Sequence, residues 1–220
     1  MDNIGIKQVS KRFSDKIIME EANITFSKGK ISFIMGPNGI GKTTLIKIFM
    51  GLQKLDKGII INPYKNNNSF VLFDDLSLYQ NLTGYRNIQL FTSFKFSKKE
   101  IKEISQKYLS DKRLNKNVRN YSLGEGKKLS LIIWVLLSPP LSIMDEVTNG
   151  LDYQSLTDLR NKLLSLKKDM FIILTGHDFA FYESIIDELY VFKNHKIIKD
   201  EVWKEKGLGE TYEHYFTPRV

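Results

Sequence analysis

The sequence contains no cysteine, which excludes a disulfide frame, a cysteine zinc site and thiol chemistry. It also lacks a long hydrophobic run. The longest apolar stretch, residues 129–137, stops at Pro139-Pro140 and is too short to span a bilayer. The opening Met1-Asp2-Asn3-Ile4-Gly5-Ile6-Lys7 has no apolar signal-peptide core. The expected location is therefore cytoplasmic, with any membrane role exercised through a partner. No internal repeat and no low-complexity linker is visible, and 220 residues suffice for one α/β domain with room for a subdomain. The formal charge is +8. It is carried in Lys-rich segments such as 95–107 and 112–119, which read as solvated helix faces. The aromatics lie mostly within apolar runs rather than among the basic residues, so no base-stacking platform is evident and no nucleic-acid partner is expected.

What is present begins with Gly36-Pro37-Asn38-Gly39-Ile40-Gly41-Lys42-Thr43-Thr44, which fits the phosphate-binding P-loop pattern G-x-x-x-x-G-K-[ST]. A short apolar strand (31–35) precedes it and a helix (44–50) follows, the context the motif requires. Gly36, Gly39 and Gly41 let the backbone curl and turn successive N–H groups inward. Those groups and the positive end of the helix form an anion cradle. Lys42 is expected on the β- and γ-phosphates and the Thr43 hydroxyl on Mg²⁺.

Along the chain, residues 4–9, 17–19 and 24–26 read as strands of an antiparallel layer, with turns at 11–16 and 28–30. Gly51 is a C-cap signal after the P-loop helix. Strands follow at 58–63 and 70–73, separated by a polar loop at 66–68. Residues 77–110 turn helical, with Ile101, Ile104, Tyr108 and Leu109 on one face and Ser97/Glu100 as a capping box. A mostly buried helix spans 124–137 and ends at the proline pair. A buried strand (141–144) leads to Asp145-Glu146. An amphipathic helix (153–168) turns Leu156, Leu159, Leu163 and Leu166 inward, and a buried strand (171–174) leads to His177. Residues 179–189 read as helix, 189–198 as a hairpin around Asn194-His195, and 203–220 show no pattern. The fold class is α/β, a P-loop core with a mainly parallel sheet, an N-terminal antiparallel layer and a helical insert.

A P-loop needs a carboxylate to complete Mg²⁺ coordination. Asp145, at the end of an apolar strand, is assigned to the metal through water. Glu146 follows immediately, and adjacent carboxylates at a strand end can point to different places, which suits Glu146 as general base for hydrolysis. In a parallel sheet the C-terminal strand ends share one crevice, which puts His177 near the γ-phosphate. Spacing alone leaves His177 between a structural and a functional role, and it gives none to His195 or His214.

Tyr121-Ser122-Leu123-Gly124-Glu125-Gly126-Lys127-Lys128-Leu129, followed by Asp145-Glu146-Val147-Thr148-Asn149-Gly150-Leu151-Asp152, resembles the ATP-binding-cassette (ABC) family. The motifs keep the family's order from Phe13 to about Ile198. The resemblance implies an ATPase subunit that binds ATP and Mg²⁺. Phe13 stands where the family stacks an aromatic on adenine. Ser122 and Gly124 match the signature motif, which in the family closes over the ATP held by the P-loop of a second subunit. Asp152 matches the loop crossing that dimer interface, His177 the switch histidine and Glu146 the catalytic glutamate. The implied partners are a second ABC ATPase domain, as a homodimer, and a membrane permease that holds the chain at the inner face of the cell membrane. Residues 1–220 then form a single ATPase domain, with about 79–130 as its helical subdomain and about 79–110 as the coupling surface. Phe91, Phe94 and Phe96 sit on that surface. At least two of them are expected in the subdomain core rather than on a partner.

Three departures stand out. Aligning residues 78–83 with the similar stretch of the family puts Asp74 where Gln is usual, a carboxylate that can still bind Mg²⁺. Val147 replaces the usual Pro, and the signature reads Tyr-Ser-Leu-Gly-Glu rather than Leu-Ser-Gly-Gly-Gln. Tyr-Ser-Leu-Gly resembles bacterial exporter subunits for drugs, peptide antibiotics and bacteriocin self-protection, so export is the expected direction. The alternatives are a non-transport ABC protein acting on ribosomes or nucleic acid, and an ATP-switched module with weak turnover.

Overall fold

The computed structural model describes residues 3–65, 68–75 and 77–217. Of the expected polar loop at 66–68, Asn66 and Asn67 lie outside the described residues, as do Met1 and Asp2 at the start and the last part of the 203–220 tail. Long alternating strands, β1 (Asn3–Phe13) and β2 (Lys16–Ser27), form an antiparallel hairpin. They replace the shorter strands expected there. Residues at positive φ, Gln8 and Glu21, accommodate register shifts inside the pairing, so the strands run on through breaks in the hydrophobic pattern. The fully buried β3 (Ile31–Met35) leads to the P-loop and α1 (Lys42–Phe49). Gly51 sits just past that helix at φ +72°, as a C-terminal glycine should. The next strand, β4 (Lys57–Ile61), pairs antiparallel with β1 and completes the layer β2-β1-β4.

After β5 (Ser69–Leu72) the chain is helical: α2 (Gly84–Phe91), α3 (Lys98–Ser105), the short α4 (Asp111–Leu114) and α5 (Leu123–Leu137). Then come β6 (Leu141–Asp145), α6 (Tyr153–Leu166), β7 (Phe171–Thr175), α7 (Phe179–Glu183), β8 (Glu188–Lys193), β9 (Lys196–Asp200) and α8 (Trp203–Phe216). The second sheet has the order β5-β6-β7-β3-β8-β9, parallel throughout except at β9. Its inner strands β3, β6, β7 and β8 are mostly apolar runs because both faces are covered. On one face Ile34, Ile143, Ile173 and Phe192 meet α1 and the β1–β2 layer. On the other, Phe33, Met144, Leu174 and Val191 meet α5, α6, α7 and α8. Parallel β5, β6, β7 and β3 thus deliver their C-terminal ends to one edge.

The helical segment has its own cluster, where Ile88, Ile101 and Leu114 pack on Leu129, Ile132 and Ile133 of α5. The expected face holds, since Ile101 and Leu109 are buried and Ile104 and Tyr108 pack against them. The Ser97/Glu100 capping box forms as well. The expectation for the phenylalanines fails. Phe96 packs against the cluster, but Phe91 and Phe94 are 38% and 52% exposed. The chain reverses at Ser93 and Phe94, both at positive φ, and turns the Phe94 ring outward beneath the Arg86 guanidinium, 5.0 Å away.

Two further differences lie near the C-terminus. The helix expected over 179–189 stops at Glu183, because residues from Glu188 are drawn into β8 beside β3. Asp187 fixes that junction by accepting Ile31 N–H at 2.9 Å and pairing with Lys167. The patternless tail is helical, but α8 is broken at Gly207 (φ +80°). A Glu183 carboxylate oxygen accepts Leu208 N–H at 2.8 Å and restarts the helix, so no single 3.6-residue period spans it.

Trp134 of α5 is fully buried between helix and sheet, and its indole N–H donates to Ser142 Oγ on β6 at 2.8 Å. Trp134→Ala should destabilise the fold by roughly 3–5 kcal/mol, measured by urea unfolding. Trp134→Phe should lose much less, chiefly the hydrogen bond.

Candidate functional site

From Met35 the chain must turn back on itself to begin α1 at Lys42. It does so with Gly39 at φ +76° and Gly41 at φ +123°, where a side chain would be strained. Space forbids one at Gly41 too, since a Cβ there would lie 2.6 Å from Ile18 Cγ2. Lys42 is buried and arches over the loop, donating to Gly36 O at 2.7 Å and Pro37 O at 3.3 Å. The first turn of α1 carries no acidic residue of its own. A glycine cradle, a buried ammonium and a helix start suit a polyphosphate.

This loop borders an open cleft of about 630 Å³. Phe13, Lys16 and Ile18 form one wall; Asn38, Gly39, Gly41, Lys42, Thr43 and Thr44 form the floor; Asp74, Asp145, Glu146, Asn149 and His177 close the far side. Phe13, 44% exposed at the end of β1, offers a ring face at the mouth, with the Lys11 ammonium 4.9 Å from its centroid.

The two carboxylates at the end of β6 go separate ways. Asp145 is buried and accepts from Thr43 Oγ1 at 2.7 Å through Oδ2 and from the Thr175 hydroxyl through Oδ1. It ties α1 to β6 and β7. Thr43 and Asp145 together present hard oxygen atoms beside the loop, the donor type that magnesium takes. At Glu146 the backbone takes a left-handed turn, φ +54°, and its N–H bonds to Thr175 O at 3.2 Å. That turn points the Glu146 carboxylate into the cleft, 3.4 Å from His177 Nε2. His177 Nε2 is also 2.7 Å from Asn38 Oδ1 of the P-loop. Both neighbours are oxygen acceptors, so Nε2 carries the proton and donates. Burial pushes the Glu146 carboxyl above its ordinary range, against the opposing pull of His177 and Lys42. Burial likewise lowers Lys42, while Glu146 and Asp145 oppose it.

Ser122, Gly124 and Asp152 do not line this cleft. Ser122 caps α5, accepting from Glu125 N–H at 3.2 Å, while the Glu125 carboxylate accepts Ser122 N–H at 2.8 Å and pairs with Arg113. Gly124 lies against the loop after β6, where a Cβ would sit 2.2 Å from Gly150 O. Asp152 caps α6 through Ser155 N–H at 2.9 Å and pairs with Lys128 at 2.6 Å. Its bonds to Lys128 and Ser155 hold its carboxyl below the usual range. The start of α5 and the loop through Gly150 to Asp152 are thus fastened into one surface. Leu123 and Tyr153 stand exposed on it.

Several site residues escape a reading of the sequence. Thr175 closes β7 directly before Gly176-His177, and a strand-terminal hydroxyl was its only signal. Lys127 is wholly buried, donating to Asp74 Oδ1 at 3.0 Å and to the Glu146 carbonyl. Amid Gly126, Lys128 and other polar residues at the start of α5 it looks like a surface lysine. Val147, in contrast, is a buried part of the main core.

The sequence profile of the ABC transporter family matches residues 19–149. The lantibiotic transport ATP-binding protein SrtF of Streptococcus pyogenes is 29% identical, over 99% of this chain and 97% of its own. The zinc import ATP-binding protein ZnuC of Vibrio vulnificus is 30% identical, over 87% of this chain and 74% of its own. Among solved structures, an ATP-binding subunit of an ABC transporter superposes with a TM-score of 0.87 at 23% identity, covering 98% of this chain and 99% of that one. The P-loop cradle, the sheet that carries it and these likenesses agree: the chain belongs to the ABC transporter family and is an ATP-binding, ATP-hydrolysing subunit of that kind.

Proposed function

We propose that this chain hydrolyses magnesium ATP within a head-to-tail homodimer and uses the cycle to drive export through a separate membrane permease. The observation that carries the reading is the division of labour at the end of β6, with Asp145 bound to Thr43 and Thr175 and Glu146 turned into the cleft beside His177.

ATP enters with its phosphates over Gly36–Thr44 and its adenine toward Phe13. Lys42 leaves its carbonyl partners for the β- and γ-phosphates. Magnesium fits Thr43 and Asp145, with Asp74 at the edge, and would neutralise charge on the β- and γ-phosphate oxygens. Glu146 accepts a proton from the water whose oxygen attacks the γ-phosphorus. The bond to the β–γ bridging oxygen breaks, and ADP leaves with that electron pair. A carboxyl raised by burial is a better base than an ordinary one. His177 orients Glu146 and, through Asn38, senses the loop that holds the γ-phosphate.

The dimer reading rests on Ser122, Gly124 and Asp152, which form one surface away from the cleft and need a second copy to meet a nucleotide. Exposed Leu123 and Tyr153 supply apolar area there. We read residues 1–220 as one ATPase domain, with about 79–130 as its helical subdomain. Among the described residues no helix is long and apolar enough to cross a membrane. Tyr79, Leu90, Phe91 and Phe94 form an exposed apolar patch on the helical segment, with the Tyr79 and Phe91 rings 5.7 Å apart, and suit a permease helix. This arrangement holds the chain at the inner face of the cell membrane. Export is supported by Tyr121-Ser122-Leu123-Gly124 and by the likeness to a lantibiotic transporter. Import is the second reading, supported by the similar likeness to a zinc importer.

Purified chain should turn over magnesium ATP, and Glu146→Gln should cut kcat by at least about a hundredfold while still binding ATP and dimerising with it. Failure of the variant to lose turnover would remove Glu146 as the base. Gly124→Ala should leave ATP affinity of the monomer unchanged but abolish ATP-dependent dimerisation, followed by size-exclusion chromatography, because the methyl collides with Gly150 O.

A further inference from the structure

Lys127 is the most deeply buried lysine among the described residues, with 0% exposure. A buried ammonium requires a counter-charge and acceptors for its protons. It has Asp74 Oδ1 at 3.0 Å and the main-chain carbonyl of Glu146. Asp74 follows β5, Glu146 follows β6, and Lys127 lies near the start of α5, a turn beyond Ser122. One side chain therefore joins the helix that begins at the signature residues to two strand ends of the nucleotide cleft.

The charges explain why it is there. Asp74, Asp145 and Glu146 all face the same end of the cleft, and Asp74 adds to the repulsion felt by Glu146. Lys42 is committed to the P-loop. Asn149 reaches Asp74 only at 3.5 Å and brings no charge. The carboxylate at position 74 adds a third negative charge at this end of the cleft, and Lys127 is the cation bonded to it. The Glu146 backbone needs an anchor too, because its left-handed turn is costly for a residue with a side chain.

We propose that Lys127 and Asp74 are a matched pair, in which Lys127 acts as a positioning residue: it neutralises Asp74 at the cleft edge and, by holding the Glu146 carbonyl, sets the direction of the Glu146 carboxylate. The pair is unequal. Asp74 is 54% exposed and can be solvated when its partner is lost, whereas Lys127 cannot. Lys127 does not itself line the cleft but bonds to two residues that do, so its effect on turnover passes through Asp74 and Glu146.

A substitution cycle on the full chain tests this, with Lys127→Gln, Asp74→Gln and the double variant. Melting of the nucleotide-free protein in EDTA is read beside kcat and KM for magnesium ATP. Asp74→Gln should lower Tm by about 4 °C or more, since it strands a buried ammonium. Lys127→Gln should cut kcat roughly tenfold or more with KM changed less than about threefold. The double variant, with neutral amides on both sides, should recover most of both losses. Losses that simply add in the double variant would overturn the pairing, as would a Lys127→Gln protein with unchanged kcat. If Lys127→Gln does not fold, Asp74→Gln decides alone: a lowered Tm supports the pair, and an unchanged or raised Tm overturns it. The melting arm needs neither metal nor turnover, so its outcome is independent of the hydrolytic reading.

Discussion

Asp145 is a buried carboxylate whose two oxygens are held by hydroxyls from different elements, Thr43 at the start of α1 and Thr175 at the end of β7. A buried anion without such partners would be expensive. With them it locks the P-loop helix to neighbouring strands and fixes where every other group in the cleft can stand. The P-loop lies between Asp145 on one side and the β1–β2 layer on the other, and Ile18 of β2 and Phe192 of β8 close on Gly41. Asp145 carries the structural load, and the left-handed backbone of Glu146 turns the neighbouring carboxylate toward His177 instead of the core.

From that junction α5 acts as a strut. Its first turn presents Ser122 and Gly124 outward and away from the cleft. The next turn sends Lys127 to Asp74 and the Glu146 carbonyl, and Trp134 anchors the helix against β6. A displacement of the helical segment therefore reaches the carboxylates through a rigid element rather than a loop. The exposed patch of Tyr79, Phe91 and Phe94 sits on that same segment, not far in sequence from Asp74. A permease docked there has a short physical route to the nucleotide. The contacts of Gly124 with Gly150 and of Lys128 with Asp152 tie the start of α5 to the loop after β6 on the same framework.

Much of this was legible in the sequence, because some chemistry needs particular residues at fixed spacing. The loop from Gly36 to Thr44, the apolar strands before Asp145 and His177, and the face of Ile101, Ile104, Tyr108 and Leu109 read correctly from motif and period. What was hidden depended on tertiary partners. The hairpin of β1 and β2 runs through its irregularities because bulges at Gln8 and Glu21 absorb them. Gly207 and Glu183 make α8 from two pieces with different phases. Phe91 and Phe94 belong to an apolar-looking run, yet Phe91 ends α2 partly exposed and the backbone reversal after it turns Phe94 out. Lys127 is the sharpest case. A lysine in a polar turn carries no sign that its ammonium is buried 53 positions away from its counter-charge.

In the proposed reading the Asp145 carboxylate, which bonds to Thr43 and Thr175, also couples ATP binding to magnesium. The most direct measurement is ATP affinity with magnesium and with EDTA, for wild type and Asp145→Asn, by fluorescence of a labelled nucleotide. The account predicts that magnesium tightens binding to wild type, that the variant loses this increment, and that affinity in EDTA changes by less than about threefold. A variant that keeps the full magnesium increment would contradict it.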